Sequence, residues 1–76
     1  MSEVQTLADK VFQEMTTAIV RGEIKPGTKL SEQALVERYG GSRAPIREAI
    51  QKLEARSLVV RVPNAGARVI SLSLAE

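Results

Sequence analysis

The chain has 76 residues, of which 43% are hydrophobic and 26% charged, with no cysteine and no histidine. This composition is typical of an ordinary folded domain, and the length allows one small module but not a two-domain enzyme. The missing residue types exclude disulfides, thiolate metal ligands and the usual general base. Since a chain this short buries only about 60% of its unfolded surface, we expect an exposed binding surface, with no catalytic site, cofactor or metal.

The charge is unevenly distributed, although the net charge is only +2. From Arg38 to Arg68, here called the basic segment, seven arginines and lysines stand against two glutamates, a net charge of +5, and the remaining residues carry −3. Such an asymmetry is typical of a domain that presents one face to a polyanion. From charge alone, a solvated surface without a partner is an equal alternative.

The first part of the chain predicts an amphipathic helix. Thr6 followed by Asp9 three residues later resembles a capping box, and Gly22 marks the expected end of the helix. Apolar residues recur between them at steps of three and four, the spacing of one helix face. They are Leu7, Val11, Phe12, Met15, Ala18 and Ile19.

A turn and a second helix are expected next. Lys25–Thr28 has proline and glycine at the second and third positions of a β-turn, which leaves Lys29–Leu30 as at most a short extended piece. Ser31 is a good N-cap, and the residues after it predict a helix of about nine residues. The glycine pair Gly40–Gly41 then stops this helix.

The third helix is predicted to begin at Ser42, whose side chain we expect to cap it, and to reach about Ser57. Pro45 is compatible with the first turn, where the N–H groups have no partner within the helix. An apolar stripe marks the face that packs against the other helices. It comprises Ile46, Ala49, Ile50 and Leu53.

The end of the chain predicts a β-hairpin. The β-branched runs Leu58–Val62 and Ala67–Leu72 are separated by Pro63–Gly66, which has the composition of a turn. The predicted fold class is therefore α+β, three helices followed by a β-hairpin. The aromatic residues Phe12 and Tyr39 are too few and too far apart to stack on single-stranded bases, and we expect them in the core.

The second and third helices form a helix-turn-helix pattern, about 31–56, whose second helix can enter the major groove of DNA. Arg43 and Arg47 are one helical turn apart and must point away from the apolar stripe. An arginine can donate two parallel hydrogen bonds to O6 and N7 of guanine, or it can bind a phosphate. The alternative for Arg47 is an ion pair with Glu48 or Glu54 on a solvated surface.

Further residues are candidates for contacts with the phosphate backbone or the minor groove. Gln33 and Ser42 lie at helix N-termini, where free N–H groups favour anions, although plain capping is the alternative. Lys52 and Arg56, near the far end of the third helix, are expected to bind phosphates. The tip of the hairpin adds three candidates, for which a turn beside a solvated arginine is the alternative. They are Asn64, Gly66 and Arg68.

The motifs resemble those of a known family. The strings Pro26-Gly-Thr-Lys-Leu-Ser-Glu-Gln-Ala-Leu35 and Gly41-Ser-Arg-Ala-Pro-Ile-Arg-Glu-Ala-Ile50, followed by the Pro-Asn-x-Gly turn, resemble the N-terminal domain of GntR-family bacterial transcription regulators, especially the FadR-like branch. The resemblance implies a winged helix-turn-helix over residues 4–71, with the wing at about 58–71. It assigns Arg43 and Arg47 to the major groove, Gln33 and Ser42 to phosphates or nearby bases, and Gly66 with its neighbours to the minor groove.

Two positions depart from the family pattern. Gly41 stands where the family usually has an apolar residue, and we expect it to remove a core contact and loosen the backbone before the third helix. Ala65 stands where the wing often has a lysine or arginine, which leaves Arg68 as the possible substitute. The resemblance also implies a linker at residues 72–76 leading to an absent C-terminal domain, which in the family binds a small-molecule effector and supplies most of the homodimer contact.

Together these observations predict a cytoplasmic winged helix-turn-helix without a membrane span or enzymatic activity. We expect it to bind double-stranded operator DNA sequence-specifically and to regulate transcription as a repressor. The alternative is a winged-helix module for protein–protein contact, whose arginines meet an acidic partner. A discrete operator and a steep salt dependence would favour DNA.

Overall fold

The computed structural model describes residues 5–63 and 66–70. These residues form three helices and a three-stranded antiparallel sheet with strand order β1-β3-β2. The predicted winged-helix architecture is confirmed, and Asn64, Ala65 and the expected linker lie outside the described residues. The elements are α1 Leu7–Val20, β1 Lys29–Leu30, α2 Glu32–Tyr39, α3 Arg43–Ala55, β2 Val59–Val62 and β3 Gly66–Val69.

Helix α1 begins at the predicted capping box. The backbone N–H of Asp9 donates to Thr6 Oγ1 over 3.0 Å, and the N–H of Thr6 donates to Asp9 Oδ2 over 3.4 Å. Both bonds satisfy N–H groups that have no partner within the helix. The helix ends as expected, with Arg21 as its C-cap and Gly22 at a positive φ of 80°.

The turn before β1 ties this strand to the hairpin. Gly27 has a φ of 84°, and the N–H of Thr28 donates to the carbonyl of Lys25 over 3.1 Å, as the turn prediction requires. In β1, Lys29 lies opposite Arg68 and Leu30 opposite Ala67. The short extended piece is therefore an edge strand of the sheet, which makes β3 its central strand.

Helices α2 and α3 are separated by Gly40 and Gly41, both with positive φ. Gly40 combines φ 82° with ψ −177°, a conformation that is essentially restricted to glycine. Helix α3 ends at Ala55, slightly before the predicted end. Ser57, at φ 62°, reverses the chain, and the N–H of Leu58 donates to the carbonyl of Leu53 over 2.9 Å, which closes the helix end.

The hairpin of β2 and β3, here called the wing, pairs Val59 with Val69 and Val62 with Gly66. Alternation along β3 buries Ala67 and Val69 against the helices and leaves Arg68 exposed. The centre of the core lies between α1, α3 and β2. Its largest fully buried side chains are Val11, Ile46, Leu53 and Val59.

Within residues 5–63 and 66–70, each helix falls short of the length and apolar character that a membrane crossing requires.

The side chain of Leu7 lies beside Gly41, the position where a core contact is expected to be missing. A Cβ atom at Gly41 would lie 2.9 Å from Leu7 Cδ2, so the side chain of Leu7 already fills the adjacent space. The backbone there has φ 81°, which a side-chain-bearing residue rarely adopts. A side chain at position 41 would therefore have to displace Leu7 and adopt an unfavourable backbone conformation directly before α3.

Candidate nucleic-acid interface

Helix α3 has one buried and one exposed face. Ile46, Ile50 and Leu53 are buried, with at most 2% of their surface exposed, and they pack into the core cluster. Arg43 and Arg47, one turn apart, are both exposed. The predicted outward orientation of these arginines is confirmed, because burial of the apolar stripe fixes the rotation of the helix about its axis.

The partner of Arg47 differs from both partners considered in the sequence analysis. Its Nε donates to the two carboxylate oxygens of Glu32, over 3.1 and 3.2 Å, which links α3 to the first turn of α2. Glu48 instead approaches Lys52 at 3.9 Å, and Glu54 pairs with Arg61 at 2.8 Å. Pairing of Arg47 with Glu48 or Glu54 is therefore wrong, since other cations occupy those carboxylates.

Arg43 differs from Arg47 in its surroundings. It is the first residue of α3 and is exposed, and within residues 5–63 and 66–70 it forms no ion pair. Among the described residues, a carboxylate therefore holds the guanidinium of Arg47 but not that of Arg43.

Ser42 occupies the N-cap position of α3 with an extended backbone, φ −110° and ψ −178°. Its hydroxyl, however, makes no capping hydrogen bond to the helix, so the expectation that this side chain caps α3 is wrong. The N-terminal N–H groups of α3 and the Ser42 hydroxyl are therefore accessible to a ligand, and a helix N-terminus favours anions such as phosphate.

Ser31 behaves differently at the start of α2, where its Oγ accepts a hydrogen bond from the N–H of Ala34 over 3.2 Å. Gln33 lies two residues after this cap and is exposed. A groove of about 440 Å³ opens where the start of α2, α3 and the wing meet. Its lining includes Ser31, Glu32, Arg61 and Gly66, so the fold brings the first turn of α2 and the wing to one groove.

The described part of the wing contains two of its three predicted site residues. Gly66 opens β3 with φ 77°, and a Cβ atom there would lie 4.0 Å from Lys29 Cε. Arg68 is exposed, and its Nη1 donates to the carbonyl of Gly27 over 3.1 Å, which links it to the turn before β1. Asn64 lies outside the described residues.

Lys52, a predicted phosphate contact near the far end of α3, makes an ion pair with a residue of α1. Its Nζ donates to Asp9 Oδ1 on α1 over 2.8 Å. This bond raises the pKa of Lys52, and the Lys52 ammonium, followed by the capping hydrogen bonds from Thr6, lowers the pKa of Asp9. Lys52 therefore connects α3 to α1, and its role as a phosphate contact stays a prediction.

Two further arginines lie over aromatic rings. Arg56 is 5.5 Å from the ring centroid of Phe12, and Arg38 is 5.6 Å from that of Tyr39. Both rings pack against the core cluster, as expected. Burial, followed by the nearby Glu14 carboxylate, raises the pKa of Tyr39. Arg38 and Arg56 both belong to the basic segment. Their positive charges therefore have a structural role that requires no ligand, because cation–π pairs are common structural contacts.

Sequence reasoning missed Glu32 and Arg61 as members of this surface. Glu32 resembles an ordinary first-turn acidic residue that favours the helix dipole, and its contact with Arg47 spans 15 residues. Arg61 lies in β2 opposite Ala67 and lines the groove. The two-residue alternation of a strand predicts that Arg61 shares the face of the sheet on which Ala67 lies. No local sequence pattern, however, identifies Arg47 as the partner of Glu32.

Comparison with known proteins places the fold in a family. The profile of the family described as "Bacterial regulatory proteins, gntR family" matches residues 7–69. The chain is 33% identical over 76 residues to the HTH-type transcriptional repressor RspR of Escherichia coli K12, covering 100% of this chain and 33% of RspR. The chain thus spans about a third of the length of this curated relative.

Solved structures agree with this assignment. A GntR-family transcriptional regulator from Pseudomonas syringae pv. tomato superposes with a TM-score of 0.82 at 36% identity, over 87% of this chain and 28% of that one. The DNA-binding domain of AraR, solved in complex with the operator ORR3, superposes with a TM-score of 0.80 at 30% identity, over 91% of this chain and 84% of that one. The chain therefore belongs to the GntR family of bacterial regulatory proteins.

Proposed function

We propose that this chain is a sequence-specific DNA-binding domain of a transcription regulator, with α3 as its recognition helix. The observation that carries the proposal is the geometry of α3: its apolar stripe is buried, and Arg43 and Arg47 stand exposed at its N-terminal end. Residues at this end of a recognition helix meet base edges when the helix enters the major groove.

Each predicted site residue has a role in this proposal. Arg43 and Arg47 read bases, and Ser42 and Gln33 bind phosphate at the starts of α3 and α2. Gly66 and Arg68, together with Asn64 from the sequence, contact the minor groove at the wing. The shared groove, about 440 Å³ in volume, supports simultaneous contact by the start of α2 and the wing.

The comparisons support the regulatory part of the proposal. RspR is a transcriptional repressor, and the AraR domain was solved on operator DNA, which makes operator binding and repression the favoured activities here. We further propose that the domain is of the FadR-like type and works in the bacterial cytoplasm as part of a homodimer. In the longer protein, a C-terminal domain would bind the small-molecule effector, and neither part would be enzymatic.

The test begins with selection from a random duplex pool and sequencing of the retained DNA. With the selected operator, Arg43→Ala and Arg47→Ala are each expected to weaken binding by about 1–3 kcal/mol and to flatten the preference at one base pair, because the lost hydrogen bonds are to base edges. Circular dichroism should show an unchanged fold, since both side chains are exposed.

Arg21→Ala is the matched control, because Arg21 is an exposed arginine at the end of α1 and outside α2, α3 and the wing. It should leave base preference unchanged. If Arg43→Ala and Arg47→Ala weaken operator and random duplexes by the same factor, both arginines are phosphate contacts and base readout is wrong. A pool that yields no preferred sequence would contradict sequence-specific binding altogether.

A further inference from the structure

We propose that Glu32 is a specificity-determining residue that positions Arg47 for base readout. This inference rests on the proposed function, since it assigns a role within the same DNA-binding surface. It starts from one contact, the donation of Arg47 Nε to both carboxylate oxygens of Glu32, over 3.1 and 3.2 Å.

The contact leaves the functional end of Arg47 available. A guanidinium carries five N–H donors, and the Nε–H occupies one edge of the planar group. With Nε bound to Glu32, the two terminal amino groups keep the pair of parallel N–H donors that matches O6 and N7 of guanine. Glu32 therefore fixes the direction of the guanidinium without competing for its terminal donors.

The structure around Glu32 suits a positioning role. Its side chain is 30% exposed, against 58% for Arg47, so the carboxylate is the more enclosed partner. It lies in the first turn of α2, directly after the N-cap Ser31, where the helix dipole favours a negative charge. It also lines the groove between α2, α3 and the wing, at the surface assigned to DNA.

The negative charge of Glu32 lowers affinity for any DNA, and this effect can be separated from its effect on Arg47. Near a polyanion it repels phosphates, so its removal should strengthen binding to any duplex. An arginine that is no longer held must be ordered when it contacts a base, which weakens binding to the operator only. Loss of Glu32 should therefore strengthen binding to random duplexes more than binding to the operator, so the operator-to-random affinity ratio falls, which the loss of repulsion alone would not cause.

The experiment compares Glu32→Gln with the parent chain on the selected operator and on random duplexes. We expect tighter binding to random duplexes and roughly a three- to tenfold loss of the operator-to-random affinity ratio, which corresponds to the cost of ordering one side chain. The loss should disappear in the Arg47→Ala background, because Glu32 then has no side chain to position. Glu37→Gln removes the same charge from an exposed position of α2 and should leave the ratio unchanged.

A measurement without DNA keeps the proposal testable if Glu32→Gln binds poorly for other reasons. The Nε–H resonance of Arg47 should exchange slowly with water in the parent chain and in Glu37→Gln, and rapidly in Glu32→Gln. The proposal is overturned if that resonance is unchanged, if Glu32→Gln strengthens operator and random binding by one factor, or if the ratio falls equally in the Arg47→Ala background. A parent chain without operator preference would instead refute the proposed function on which this inference rests.

Discussion

Replacing Gly41 by alanine tests how strongly the backbone conformation and the neighbouring Leu7 side chain require a glycine directly before α3. At φ 81°, a residue with a side chain costs roughly 1–2 kcal/mol relative to glycine. The new Cβ would also lie 2.9 Å from Leu7 Cδ2, so Leu7 must leave its preferred rotamer, at a further cost of about 0.5–1.5 kcal/mol. We expect Gly41→Ala to lower the free energy of unfolding by about 1.5–3.5 kcal/mol, which for a domain this small corresponds to a melting temperature lower by on the order of 10–20 °C.

Urea denaturation followed by circular dichroism measures this loss, and Gly22→Ala is the matched control. Gly22 has nearly the same φ, 80°, but a Cβ atom there would meet nothing within 4 Å, so only the backbone cost applies. Leu7→Ala removes the clashing atom, and in that background Gly41→Ala should cost no more than Gly22→Ala. Equal losses for Gly41→Ala and Gly22→Ala in the parent chain would refute the role assigned to Leu7.

Two further predictions concern pH and salt. Because the Lys52 ammonium holds the pKa of Asp9 below its ordinary value of 3.8, the folded state binds this proton more weakly than the unfolded state. The pair stabilises the fold above that pH and loses its contribution as pH falls through the folded pKa. In a plot of melting temperature against pH, Asp9→Asn should therefore reduce the decrease on the acid side. The control Glu23→Gln should leave that decrease unchanged. With about four to six phosphate contacts per half-site, log affinity for DNA should fall linearly with log salt, with a slope of about −3.6 to −5.4. A binding constant unchanged between low and moderate salt would exclude DNA as the ligand of this surface.

Features that depend on neighbouring residues were predictable from the sequence. The capping box of α1, the turn at Gly27 and the glycine stop after α2 each use a few adjacent residues whose conformational preferences are strong. The exposed orientation of Arg43 and Arg47 was predictable too, because the apolar stripe of α3 fixes which side faces the core.

Contacts between distant elements were not predictable. The pairing of Glu32 with Arg47 depends on how α2 and α3 cross. The pairing of Lys52 with Asp9 depends on how α3 packs against α1. Ser42 has the residue type of a capping side chain, but residue type alone does not fix whether its hydroxyl turns to the helix. All three depend on tertiary geometry that short sequence windows do not contain.

The two-residue strand β1 has a consequence for how DNA could be recognised. It pairs with the central strand β3 and is followed directly by the N-cap of α2, so no free linker separates the wing from the helix-turn-helix. A hinge between them would have to break two backbone hydrogen bonds: the N–H of Gly27 donates to the carbonyl of Val69 over 2.8 Å, and the N–H of Val69 donates to the carbonyl of Thr28 over 2.9 Å. The distance from the start of α2 to strand β3 is therefore expected to stay constant on binding. The DNA must then deform so that α3 can contact the major groove while the wing contacts the minor groove. Base pairs that neither element touches would therefore affect affinity through the stiffness of the duplex.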